Sequence, residues 1–247
     1  MHFHQVSGEK FLQKSIFSST LFQHVIYSNT AAQRESSNTL NVYLDGDGTP
    51  WIDKRWIATD PTPRNPLILE LMAMDASPAV LLGRPCYYGL YASAACEPKF
   101  WTSHRYSREV VESMQEALSV WLKQHPSVHK VRFIGYSGGG VLAVLLAPYF
   151  KQTDYVVTLA ANLDIQRWAV LHGYTALTGS LNPIKEKSLV TSIQQLHIAG
   201  ELDRNVPVDI IQSYVSQKTQ SELLVIKGQS HCCWDKQWAW ILSQLLW

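Results

Sequence analysis

Three residues far apart in the chain have the types and settings that nucleophilic catalysis needs. Ser137 lies in Gly135-Tyr136-Ser137-Gly138-Gly139, a G-x-S-x-G pattern between a strand-like run, Val131 to Ile134, and a small, apolar, helix-like one, Val141 to Leu146. A serine at such a turn sits strained at the apex with its hydroxyl exposed. The flanking residues must be glycine because a larger side chain would meet the neighbouring strand and helix. A glycine-rich phosphate cradle would usually want a lysine at the start of the helix, and Val141-Leu142 stands there instead.

An alkyl hydroxyl is a weak nucleophile at neutral pH and needs a positioned base. The chain has 9 histidines, and position separates them. His231 follows the last strand-like run, Leu223 to Ile226, after the short loop Lys227-Gly228-Gln229-Ser230. His2, His4 and His24 precede the sheet core. His104, His125, His129 and His172 fall on helical or irregular stretches, and His197 lies inside an apolar strand. The base needs a carboxylate on its other nitrogen to set its tautomer and stabilise the imidazolium. Asp203 follows the strand Leu196 to Ala199 in Gly200-Glu201-Leu202-Asp203, and Val206-Pro207 completes that turn. Asp164 after the preceding strand and Glu201 are its competitors.

The order Ser137, Asp203, His231, each after its own strand, resembles the α/β-hydrolase family. Gly200 to Pro207 is similar to that family's acid loop and Gly228-Gln229-Ser230-His231 to its histidine loop. The resemblance covers the chain from about residue 40 onward. It implies an α/β fold with a mostly parallel central sheet and helices on both faces, and an oxyanion hole of two backbone N–H groups. One donor is expected from Gly138. The other is expected from the loop after an early strand, where many members carry His-Gly. Here that stretch is Asp45-Gly46-Asp47-Gly48, so the Asp47 N–H is the expected donor and Gly48 the second choice. Asp-Gly is also a strong hairpin signal. Two carboxylates beside a developing oxyanion are unfavourable unless they point away or are paired, and Arg84 or Arg105 could pair them.

The elements that must position these residues are legible as patterns. Phe22 to Tyr27, Leu40 to Leu44, Ala79 to Leu82 and Tyr155 to Leu159 read as further strands. Pro66 can open a helix over Leu67 to Met74. Residues 108–124 place Val110, Val111, Met114, Ala117, Leu118, Trp121 and Leu122 on one helical face, with Ser107 as N-cap. Trp238 to Leu246 reads as an amphipathic closing helix. Strands alternating with helices imply βαβ units and one parallel sheet, whose sites lie beyond the carboxyl ends of the strands. Residues 164–190 connect two strands over more chain than a single crossover helix needs. The expectation is one domain over residues 1–247, with a small cap in 164–190.

Composition narrows the partners. Lys and Arg total 21 against 20 Asp and Glu, a net charge of +1. That balance supports neither nucleic acid nor an anionic membrane surface as partner. No uninterrupted apolar run is long enough for a membrane span or a secretory signal. The reading is a soluble globular protein, cytoplasmic if Met1 is its true start. Cys86 and Cys96 are ten positions apart in a stretch rich in Pro, Gly and Ala, which permits a bridge, and a bridge would argue for the periplasm or the outside. All four cysteines as free thiols is the alternative. Adjacent cysteines such as Cys232 and Cys233 seldom bridge each other. No metal-ligand spacing and no cofactor motif are present. The expected activity is cleavage of a carboxylic ester through an acyl-enzyme on Ser137. Thioesterase, lipase and amidase share that machinery, and a hydrolase-like binding protein without catalysis is the rival from another class. The substrate is expected to be a small ester or acyl compound; the oligomeric state is not legible.

Overall fold

The computed structural model describes residues 12–34, 38–186 and 193–244. At its centre is β7 (Lys130–Tyr136), whose Val131, Phe133 and Ile134 are buried. It pairs in parallel with β3 (Thr39–Leu44) on one side and β8 (Thr153–Leu159) on the other. Beyond β3 lie β6 (Ala79–Leu82), then β2 (Gln23–Ser28) and β1 (Gln13–Ser18), the last two antiparallel to their neighbours. Beyond β8 lie β9 (Gln194–Gly200) and β10 (Ser221–Ile226), both parallel. The sheet of eight strands runs β1-β2-β6-β3-β7-β8-β9-β10. β6 is buried along its whole length, as expected of a strand covered on both faces.

Six α-helices lie among the described residues: α1 (Leu67–Ala73), α2 (Arg108–Gln124), α3 (Gly138–Leu146), α4 (Ile165–Leu171), α5 (Val208–Val215) and α6 (Asp235–Gln244). In α2 the Ser107 side chain accepts the Val110 N–H, and Val110, Val111, Met114, Ala117, Leu118 and Trp121 are buried. α3 is buried at every position, a wholly apolar helix packed on the sheet. In α6 the buried Trp238 donates its indole N–H to the Leu71 carbonyl at 2.8 Å.

Register decides where the site falls. Leu44 is level with Gly135, Gly135 with Thr158, and Thr158 with His197; Ile226 is level with Gly200. The loops leaving β3, β7, β9 and β10 therefore emerge along one edge of the sheet, at its carboxyl ends. Asp45–Gly48, Ser137, Asp203 and His231 all lie on those loops.

Two features go beyond the sequence patterns. β1 was hidden because its polar residues interrupt an apolar stretch, and in the sheet its exposed and half-buried positions alternate. The second is a short antiparallel hairpin, β4 (Trp51–Ile52) and β5 (Trp56–Ile57). Cys86 and Cys96 form a disulfide across the loop between β6 and α2. No described helix is long and apolar enough to cross a membrane.

The core also holds two neutral histidines. Burial pushes His24 down to about 4 and His197 to about 3. His24 Nδ1 lies 2.9 Å from the Gly83 carbonyl oxygen, and His197 Nδ1 lies 2.8 Å from the Thr158 hydroxyl. Both folded values lie below the unfolded one, so the unfolded chain takes up protons below about pH 6.5 while the native state does not. Stability contributed by the neutral rings is lost as pH falls from about 6.5 towards 4, by up to roughly 1.4 kcal/mol per pH unit for each ring. Urea midpoints measured from pH 7 to 4.5 should fall accordingly, and His197→Gln should flatten the profile. An equally steep profile in that variant would remove His197 from the account.

Candidate active site

The β7–α3 junction is tight enough to dictate its residues. A Cβ on Gly135 would meet the Gly139 carbonyl oxygen at 2.3 Å, and one on Gly139 would meet the Leu44 carbonyl oxygen at 2.1 Å. Between them Ser137 takes φ 50° and ψ −122°, a conformation side chains other than glycine seldom adopt. Its N–H donates to the Leu159 carbonyl at 2.8 Å, which ties the turn to the end of β8. The serine is thus held at an apex rather than leaning on the helix.

His231 Nε2 lies 3.2 Å from Ser137 Oγ, and His231 Nδ1 lies 2.8 Å from Asp203 Oδ2. The other Asp203 oxygen accepts the Asn205 and Val206 N–H groups, each at 2.8 Å. These bonds fix the carboxylate's orientation. The imidazole is held from its backbone too, since Tyr136 Oη and Trp234 Nε1 both donate to the His231 carbonyl. Neither competitor reaches it. The Asp164 carboxylate caps α4 by accepting the Arg167 N–H, and also accepts from Asn182 Nδ2. Glu201 accepts the Gly228 N–H at 2.8 Å.

Asn205 escaped the sequence reading. Its Nδ2 lies 3.0 Å from His231 Nε2, beside the serine, while its carbonyl accepts from Trp168 Nε1 and His172 Nε2. The available signal was its position two residues after Asp203, which places it in the same acid loop.

The loop after β3 lies against the nucleophile. A Cβ on Gly46 would be 3.5 Å from Ser137 Cβ, and one on Gly138 would sit 2.0 Å from Asp47 Oδ1. The Gly46 N–H is taken by the Asp45 carboxylate. The Asp47 and Gly48 N–H groups have no partner among the described residues. Gly138 opens α3, so its N–H is among those a helix leaves free at its start.

The two carboxyls of this loop are neutralised in different ways. Asp47 pairs with Arg84 at 2.9 Å and Arg105 at 2.8 Å, and accepts from Tyr106 Oη; Tyr87 Oη donates to its carbonyl. Burial alone would raise the Asp47 carboxyl, but Arg105 and Arg84 outweigh it and hold the group below the usual carboxylate range. Burial dominates at Asp45, whose carboxyl is pushed up to about 7 against the opposing Gly46 N–H and Arg84. The native state keeps an Asp45 proton that the unfolded chain releases above about pH 4, so this contribution is lost as pH rises towards 7. Two histidines outweigh one carboxyl below pH 6.5.

A cavity of about 930 Å³ opens over Ser137 and His231. Trp51, Pro63, Leu67, Trp168, Tyr174 and Leu177 give it apolar walls, with Lys54 and Arg64 at its polar side.

Known proteins share this fold. The family model for class 3 lipases matches residues 80–163, the segment that carries the nucleophile turn. An esterase from Pyrococcus furiosus superposes with a TM-score of 0.67 at 12% identity, covering 97% of this chain and 91% of that one. A protein of unknown function from Agrobacterium tumefaciens, assigned to the alpha/beta hydrolases, gives 0.62 at 13%, covering 94% of each chain. Est1E from Butyrivibrio proteoclasticus gives 0.59 at 14%, covering 94% of this chain and 98% of that one. Among curated proteins none matches. The likeness to these structures gives the chain the α/β-hydrolase fold, and the Ser137–His231–Asp203 contacts lie at the edge of its sheet where the strand ends converge.

Proposed function

We propose that this protein is a carboxylesterase that works through an acyl-enzyme on Ser137. The observation that carries the reading is the continuous line of contacts from Ser137 Oγ through His231 to Asp203, at 3.2 and 2.8 Å. His231 takes the serine proton as Oγ attacks the ester carbonyl, then returns it to the departing alcohol. It next activates water against the acyl-enzyme, and Asp203 stabilises the imidazolium in both halves. The Gly138 and Asp47 N–H groups receive the oxyanion, a contribution of roughly 3 kcal/mol per donor in enzymes of this kind.

Residues 164–186 act as a small cap, because Trp168, Tyr174 and Leu177 wall the cavity from that side; the rest of the expected cap, 187–190, lies outside the described residues. The Cys86–Cys96 bridge supports an oxidising compartment, where disulfides persist.

A lipase is the second reading, favoured by the hairpin beside the cavity. Trp51, which lines the cavity, is 41% exposed, and Trp56 on the same hairpin is 63% exposed, both large apolar groups left in water. A p-nitrophenyl ester series from acetate to palmitate tests both readings, alongside labelling of Ser137 by a fluorophosphonate. Labelling with fastest turnover on short, dissolved esters supports the esterase. A rate that rises steeply once long-chain esters aggregate supports the lipase. No labelling and no turnover on any ester would leave a binding protein with a hydrolase fold.

A further inference from the structure

Cys232 and Cys233 directly follow His231, both thiols are exposed, and no step of the proposed reaction uses them. Their Sγ atoms lie 2.7 Å apart, far closer than two unbonded sulfurs usually sit. Extended backbone would turn adjacent side chains to opposite sides. Here Cys233 takes φ 67°, in the left-handed region that side chains avoid, and the two thiols meet. The loop is anchored around them: Gln229 Nε2 donates to the Cys232 carbonyl at 2.6 Å, and Trp234 Nε1 to the His231 carbonyl at 2.8 Å. Hydrogen bonds from Cys233 and Ser230 hold the Cys232 thiol below its usual range, while the same contact with Cys232 raises Cys233. Cys232 also lines the cavity that holds Ser137.

We infer that Cys232 and Cys233 form a thiol–disulfide exchange site beside the triad, which takes a small organic disulfide as oxidant and closes into a vicinal disulfide. The Cys232 thiolate attacks one sulfur of the reagent, breaks its S–S bond and releases the first thiolate. The Cys233 thiolate then attacks Cys232 Sγ, breaks the mixed disulfide and releases the second. Two electrons pass from the protein to the reagent, and the two thiol protons end on the two released thiols. The closed bridge fixes the peptide adjoining His231 in a ring and shifts the imidazole relative to Ser137. The effect on hydrolysis rests on the proposed role of His231; the exchange chemistry does not.

The test starts from reduced protein incubated with glutathione disulfide, quenched in acid and cut with trypsin. The peptide Gly228–Lys236 carries both cysteines. It is expected to lose two hydrogens and to regain them with dithiothreitol. Recovery of that peptide unmodified, or carrying glutathione on both cysteines, would overturn the site. In Cys233→Ser the mixed disulfide on Cys232 should persist, because the resolving thiol is gone; its clearance without reductant would also count against the assignment. Ester hydrolysis should fall with the bridged fraction, on the order of ten- to a hundredfold at full closure, and recover on reduction. An unchanged rate at full closure overturns the link to His231. Because closure is read by mass, a protein that hydrolyses no ester still tests the exchange site.

Discussion

Ser137→Ala is expected to lower kcat for ester hydrolysis by on the order of 10⁴- to 10⁶-fold while leaving the thermal transition nearly unchanged. The variant removes the hydroxyl proposed to attack. His231 keeps its 2.8 Å contact with Asp203, and the proposed Asp47 and Gly138 donors remain, so on this proposal the residual rate is that of a bound, polarised ester attacked by water. His231→Ala should cost about as much, and the double variant no more than either, because the two residues act as a unit. Kinetics on a p-nitrophenyl ester, with circular dichroism as the check on folding, decide the matter. A Ser137→Ala enzyme within about tenfold of wild type would assign the nucleophile elsewhere.

Asp47→Ala is expected to be the most damaging single change to stability, at about 3–5 kcal/mol. Arg84 is 2% exposed and Arg105 is buried, and both direct a guanidinium at this one carboxylate. Truncation leaves two buried cations without the anion they share. The loop that carries the Asp47 N–H loses the bond from Tyr106 as well, so kcat should fall with stability. Asp45→Asn is the contrasting variant. Asp45 has no such ion pair, and with its carboxyl pushed up to about 7 it is largely protonated at pH 6 and below, a form asparagine imitates. Its midpoint at pH 6 should stay within about 1 kcal/mol of wild type. Denaturant midpoints for the two variants measure the contrast, and equal losses would mean that the arginines do not depend on Asp47.

The meeting of Ser137, Asp203 and His231 was legible because each follows a strand that announces itself in apolar residues, and because parallel topology sends the ends of such strands to one edge. Ser107 as helix cap and the apolar face of residues 108–124 were legible for a similar reason, since both are local patterns a few residues long. β1 was not, because an edge strand with one wet face interrupts its own apolar signal. The hairpin of Trp51 and Trp56 left no signal that separates it from a loop.

The sequence by itself determined the order of Ser137, Asp203 and His231, the strands that carry them and the need for the Asp45–Asp47 loop to be neutralised. These follow from residue type and short spacing, which fold locally into turns, caps and strands. Only the tertiary structure decided how that loop is neutralised. Arg84 and Arg105 reach Asp47 from the segment between β6 and α2, while Asp45 is left to burial. It also decided that Asp203 rather than Asp164 meets His231, and that Asn205 shares the imidazole with the serine. These outcomes depend on which side chains meet across the sheet edge and on how much water remains between them, and spacing along the chain specifies neither.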